Sequence, residues 1–448
     1  MTTPAKGEER GEAQRARRHQ PFQAPKGMHD ILPADAPYWE KVRSVLKEVS
    51  SYYRFEAIET PILESADLFI RGVGLGTDIV EKEMYTLKTK GGDHLALRPE
   101  LTASVIRAYI EHGMSRLPQP VKLSYLGPLF RHENPQAGRY RQFHQAGFEC
   151  IGGESDPVYD AQVITATTRF YEGLRLKGLV VQVNSIGCKK CRHIYRRKLQ
   201  DFYRREVGGG EGKRGGKKVC RDCEQRLETN VLRLLDCKSP ICQPLKERAP
   251  SVLDNLCAEC RGHFKAVLEF LDDAKIGYTL NPFLVRGLDY YNRTVFEFSV
   301  EDGGLSLGGG GRYDYLAELL GGKSIPAVGA APGIERAIEA MKRQEVLPVR
   351  PAPERAFVVH VGDLARRKAF ALIEELRKAG IKTSEALGKG SLQAQLKAAD
   401  REVAPYALII GQREVYEESV IVRDMKTGVQ ESIPRSRLVD DLKKRHER

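Results

Sequence analysis

Two apolar stretches, Val121 to Phe130 and Phe143 to Ile151, flank the polar loop Arg131 to Arg141, and this pattern limits the fold of the 448-residue chain more than any other. Both have strand length and strand composition, and the loop turns one back antiparallel to the other. Residues two apart on a strand share a face, so Arg131 and Glu133 point together, as do Gln145, Gly147 and Glu149 on the partner. A face of Arg, Glu and Gln is a poor core. It belongs either to an exposed edge hairpin or to a polar cleft, and Phe130, Phe143 and Phe148 make the strands too apolar for full exposure, so a cleft is expected.

Order is expected from about Pro25. Trp39, Val42, Leu46, Val49 and Tyr53 recur at helical steps, and Phe55 to Leu63 reads as a strand broken by Pro61, which belongs at an edge. Leu179 to Asn184, Tyr278 to Val285 and Thr294 to Val300 read as further strands, and Ile334, Ile338 and Met341 as a helix face. Many strands with few helices between them predict an antiparallel sheet in an α+β domain. Three prolines between Leu347 and Pro353 mark a linker, beyond which strand-like 356–361, helical 364–378, helical 392–399 and strand-like 406–410 alternate as in a separate α/β domain. The division is therefore 1–24 as a disordered tail, 25–346 as the core, 347–353 as linker and 354–448 as the second domain.

Lysine and arginine number 72 against 60 acids, a net charge of +12 that suits an anionic partner such as nucleic acid or nucleotide. No apolar run approaches the ~18 residues of a bilayer span. The tail mixes Arg10, Arg15, Arg17 and Arg18 with Glu8, Glu9 and Glu12, unlike a signal or transit peptide, so a cytoplasmic protein is expected. Cys150 stands alone, whereas Cys188 and Cys191, Cys220 and Cys223, Cys237 and Cys242, and Cys257 and Cys260 form close pairs with ligand-like spacing. Two pairs suffice for one structural zinc; reduced packing and redox-labile thiols are the other readings. Residues 208–218, with six glycines and four cations, form a loop inside this segment.

Arg286, in Leu284 to Tyr291, is suited to holding a phosphoryl oxygen; the plainer reading is a loop braced by an Arg286–Asp289 pair. The run Gly308 to Gly311 permits close approach of a ligand or a neighbouring backbone, but it lacks the lysine and hydroxyl of a phosphate loop, which excludes a Walker-type ATPase. Gly329 to Arg336 is a glycine-bounded helix entry with an arginine in its first turns.

In order along the chain, these segments resemble the histidyl-tRNA synthetase family of class II aminoacyl-tRNA synthetases. Thr60-Pro61-Ile62-Leu63-Glu64 is similar to motif 1, Phe130 to Gln145 to motif 2, and Gly329 to Arg336 to motif 3. Leu284 to Tyr291 and Gly310-Gly311-Arg312-Tyr313-Asp314 are similar to the two histidine-specific signatures. The resemblance implies a six-stranded antiparallel catalytic sheet, a helical cysteine-rich insertion at 188–262, a C-terminal anticodon-binding domain and a homodimer formed through motif 1. It implies ligation of L-histidine to tRNA(His) through a histidyl-adenylate, with ATP and Mg2+. A non-catalytic regulatory subunit of ATP phosphoribosyltransferase and a silent tRNA-binding sensor are the alternatives.

By the same resemblance, Arg131 and Arg286 are catalytic, and Arg131, Glu133 and Arg336 bind ATP. Glu100 and Thr102 hold the α-ammonium, aided by Gln145; Glu149, Tyr290 and Tyr291 surround the imidazole; and Leu101, Arg131 and Arg286 complete the histidine site. Arg139 and Arg141 meet the tRNA end, and Arg192, Arg196, Arg197 and Lys198, with the Lys213 to Lys218 loop, contact acceptor-arm phosphates or form a solvated helix face. Ala330 and Pro332 replace bulkier family residues and are expected to reshape the adenine side.

Overall fold

The computed structural model describes residues 22–134, 138–207, 219–301, 306–348, 355–388 and 390–446. The tail through residue 21, the 208–218 loop with Lys213 to Lys218, and residues 349–353 of the linker lie outside these. The chain divides into two compact units, Met1–Pro348 and Val349–Arg448.

The strands of the main sheet are β1 (Glu56–Ala57), β2 (Val121–Phe130), β3 (Gln142–Ile151), β4 (Leu179–Ser185), β5 (Thr279–Leu280), β6 (Asn292–Val300), β7 (Ser306–Arg312) and β8 (Ala327–Pro332). Their spatial order is β1-β2-β3-β8-β7-β6-β4-β5. The six inner strands are antiparallel, and β1 and β5 add one parallel strand at each edge. The sheet thus has eight strands, not the six expected. Two-residue strands are too short to show alternation, so the sequence carries no sign of them.

The same shortness corrects two longer expectations. Of 55–63 only Glu56–Ala57 pairs here, because Pro61 has no N–H to give, and Leu63–Ser65 joins a separate three-stranded sheet with His94–Leu97 and Thr86–Lys88. Of 278–285 only Thr279–Leu280 pairs. Gly308 to Gly311 forms the middle of β7, where its bare backbone meets the neighbouring strands β6 and β8.

The helices are α1 (Ala36–Tyr53), α2 (Thr102–Glu111), α3 (Pro157–Gly173), α4 (Lys189–Val207), α5 (Arg221–Thr229), α6 (Ala258–Asp273) and α7 (Ile334–Arg343). Helix α1 buries Trp39, Val42, Leu46 and Val49, the stripe that its periodicity predicts, together with Val45. It shares with α3, α6 and α7 a core against Phe148 and Cys150 of β3 and Phe296 and Phe298 of β6. Alternation then sends Gln145, Gly147, Glu149 and Glu297 to the opposite face. There a second core of Leu123, Tyr125, Tyr290, Tyr313 and the α2 residues Val105 and Tyr109 covers part of the sheet.

Between β4 and β5 the insertion builds its own core from Tyr195, Leu199, Tyr203, Leu227, Leu234 and Leu245. Helix α6 runs past residue 262 and returns Val267 and Leu271 to the main core. The second unit is a sheet of β9 (Arg355–His360), β10 (Lys382–Glu385), β11 (Tyr406–Ile410), β12 (Ser419–Asp424) and β13 (Gln430–Pro434), ordered β10-β9-β11-β12-β13. Helices Asp363–Lys378 and Leu392–Arg401 alternate with its parallel part, an α/β arrangement with a core of its own around Val358, Leu372 and Leu408.

Candidate active site

The inner face carries a row of polar side chains, partly under that second core and partly open, and strand register explains its shape. Glu149 on β3 lies opposite Gly329 on β8, and Gly309 on β7 lies opposite Glu297 on β6. A Cβ at Gly329 would collide with the Glu149 carboxylate, and one at Gly309 would stand 2.8 Å from a terminal nitrogen of Arg286. Bare main chain therefore lets long polar side chains lie flat across the sheet.

Above the open part is a cavity of about 360 Å³, within the ~300–1,000 Å³ usual for small-molecule sites. Arg131, Arg286 and Arg336, widely separated in sequence, all line it, with Glu100, Thr102, Glu133, Gln145, Tyr290, Tyr291 and Glu297. Arg131 follows β2, donates through Nε to the Pro99 carbonyl at 2.9 Å, and lies over the Phe143 ring at 5.3 Å. Arg336, in the first turn of α7, donates to the carbonyls of Gly138 at 2.9 Å and Ser306 at 2.7 Å. Arg286 pairs with Glu297 at 2.7 Å, and its Nε is buried without a partner among the described residues. The expected alternative, an Arg286–Asp289 brace, is not formed; Asp289 accepts instead from Asn230.

Glu100 and Glu149 are both buried; Glu100 lines the cavity, whereas Glu149 lies outside its lining. Glu100 accepts from the backbone N–H groups of Thr102 and Ala103, each at 2.8 Å, and burial raises its pKa. Glu149 accepts from the hydroxyls of Thr102 at 2.8 Å, Tyr125 at 3.0 Å and Tyr313. Loss of water outweighs these bonds and pushes its pKa up to about 7. The fold therefore favours protonated Glu149: that stabilisation is complete below the unfolded value near 4.5 and is lost as pH rises through about 7. Glu149→Gln should melt above the wild type at pH ~8, by on the order of 3 kcal/mol at most, with the gap closing towards pH ~5. Thermal melts across that range check it, and a gap independent of pH would mean an ordinary titration.

Other expected residues fall elsewhere. Leu101 turns its side chain into the core beside Val105 and Tyr109, so it positions Glu100 and Thr102 through the backbone and does not line the cavity. Arg139 lines the cavity and faces Glu133 at 3.5 Å, whereas Arg141 sits outside the lining and donates to the Glu133 carbonyl at 3.2 Å. Arg192 donates to the carbonyls of Asp289 at 3.3 Å and Tyr291 at 2.5 Å, which ties the start of α4 to the Arg286 loop. Neither Ala330 nor Pro332 lines the cavity; Ala330 is in the main core. Arg312 is buried under the sheet with Asp160, whose carboxyl it holds far below the usual range despite burial.

Sequence reasoning missed Tyr125 and Tyr313 as partners of Glu149, and Glu297 as partner of Arg286. The only signal for Glu297 was its alternation with Phe296 and Phe298. The eight cysteines of the insertion gather into two groups, Cys188 with Cys191, Cys257 and Cys260, and Cys220 with Cys223, Cys237 and Cys242; each could hold a metal ion.

A family model described as histidyl-tRNA synthetase matches residues 27–191 and 223–337, more than half of the chain, and an anticodon-binding-domain model matches 355–445. A histidine–tRNA ligase of Dehalococcoides mccartyi is 45% identical over 425 residues, 94% of this chain and 99% of the relative. One of Desulfitobacterium hafniense is 46% identical over 417 residues, covering 92% and 96%. The crystal structure of apo histidyl-tRNA synthetase from Staphylococcus aureus superposes with a TM-score of 0.78 at 36% identity, over 94% of this chain and all of that one.

Proposed function

The chain belongs to the histidyl-tRNA synthetase family, and from that membership we infer that it joins L-histidine to tRNA(His) at the expense of ATP. The first step brings the histidine carboxylate onto the α-phosphorus of ATP, breaking its bond to the pyrophosphate oxygen; two anions must approach, so fixed cations have to stand ready. The observation that carries the reading is the convergence of Arg131, Arg286 and Arg336 on one cavity. Arg131 takes the α-phosphate and Arg336 the terminal phosphate. Both guanidiniums are anchored on main-chain carbonyls, which orient them, and Arg131 also faces the Glu133 carboxylate at 4.0 Å. Arg286 bridges carboxylate and phosphate as they meet. ATP enters as its magnesium complex, and Glu133 and Glu297 offer the oxygen donors such an ion takes.

Glu100, Thr102 and Gln145 hold the α-ammonium group, and Glu149, Tyr290 and Tyr291 read the imidazole. A site with hydrogen-bond partners for both ring nitrogens leaves buried groups unpaired with an apolar rival, so no editing step is needed. In the second step the histidyl group passes to the tRNA end and AMP leaves. Arg139 and Arg141 guide that end, and 354–448 holds the anticodon. The enzyme works in the cytoplasm as a homodimer through the 60–64 segment, where Ile62 and Leu63 are 44% and 42% exposed. No helix among the described residues is long and apolar enough to cross a membrane.

Histidine-dependent exchange of pyrophosphate into ATP, followed by charging of tRNA(His), tests the reading. Both activities are expected, and a folded protein with neither would instead be a regulatory subunit or sensor. Those readings are not favoured, because all three arginines and the second unit are present.

A further inference from the structure

We propose that the insertion holds two zinc ions, one in each four-cysteine group, with the outer ion clasping the insertion's root and the inner ion fixing a loop beside the catalytic cavity. The pairing is nested: the first and last cysteine pairs meet, and the two middle pairs meet. In each group the four sulfur atoms lie within 4.8 Å of one another. Sulfurs bound at ~2.3 Å around a tetrahedral ion stand ~3.8 Å apart. Cys188 and Cys191 are separated by 3.7 Å, and Cys220 and Cys237 by 3.8 Å. Those spacings are far longer than the ~2.05 Å of a disulfide. With all four sulfurs within 4.8 Å of one another, there is no room for a multi-iron cluster between them, so each group is sized for a single ion.

Backbone donors complete the case. The N–H groups of Cys257 and Cys260 point at the sulfurs of Cys191 and Cys257, at 3.1 and 3.5 Å. Those of Cys220 and Ser239 point at the sulfurs of Cys242 and Cys237, at 3.3 and 3.4 Å. Such donors favour thiolates, the form that ligates a metal. Each group also has at least one partly exposed member, which leaves the ion a way in.

The two ions would have different tasks. Cys191 begins the outgoing helix α4 and Cys260 the returning helix α6, so the outer ion closes the loop where the insertion leaves and rejoins the core. Cys237 is flanked by Asp236 and Lys238, which both line the catalytic cavity, and Arg233 just before them donates to the Gly287 carbonyl at 3.1 Å. The inner ion therefore holds a wall of the site against the Arg286 loop.

Elemental analysis of the full-length protein, purified without chelator, should give two zinc ions per chain. The double variant Cys191→Ser, Cys260→Ser and the double variant Cys223→Ser, Cys242→Ser should each keep one. Should either fail to fold, the wild type still decides: a mercurial should release both ions as eight thiols react, and cobalt exchanged for zinc should show tetrahedral thiolate bands. Metal-free protein with the eight thiols of the insertion unligated, a mass lowered by disulfide formation, or iron in place of zinc would each overturn the proposal.

Discussion

Arg286→Ala should lower histidine-dependent pyrophosphate exchange by about 10²- to 10³-fold, the loss usual when a preorganised donor to developing charge is removed. The fold should survive. The side chain reaches over the sheet to Glu297, which is itself 30% exposed, so deleting the guanidinium leaves an acid that water can reach, not a charge stranded in a core. Arg286→Lys should recover little, because a single ammonium cannot span carboxylate and phosphate as a planar fork does. Single-turnover rates and a thermal melt on the same preparations check both points. Exchange at the wild-type rate in the alanine variant would reduce Arg286 to a brace for Glu297.

Ending the chain after Pro348 should separate the two steps of the reaction. Adenylate formation is expected within a few-fold of the intact protein, because every residue assigned to histidine or ATP lies in the first unit, which has its own cores. Charging of tRNA should fall by roughly 10²-fold or more, since one of two linked contacts with the same long ligand is gone and its effective concentration goes with it. Exchange and charging measured side by side decide it; equal loss of both would mean the second unit is structural.

The sequence revealed what depends on long patterns. The 121–151 hairpin, the α1 stripe and the strand–helix alternation after residue 354 all extend far enough for periodicity to show. The two-residue edge strands do not, and β7 could not be read as a strand because glycine has no side chain to alternate; its neighbours impose that state. In the site, the arginines were legible because segments in order resembled a family. Their local partners were not: Tyr125 and Tyr313 reach Glu149 across 24 and 164 residues, and nothing in composition joins them. Cysteine spacing showed pairs, but only folding could show that the outermost pairs belong together.

The glycines of β7 decide how this pocket can evolve. Part of its capacity is stored as an absent atom at Gly309, so mutation there has only one direction to go, towards obstruction. Walls built of side chains can be retuned by exchange of one group for another. Selection for a different amino acid would have to work on those walls, leaving the base untouched.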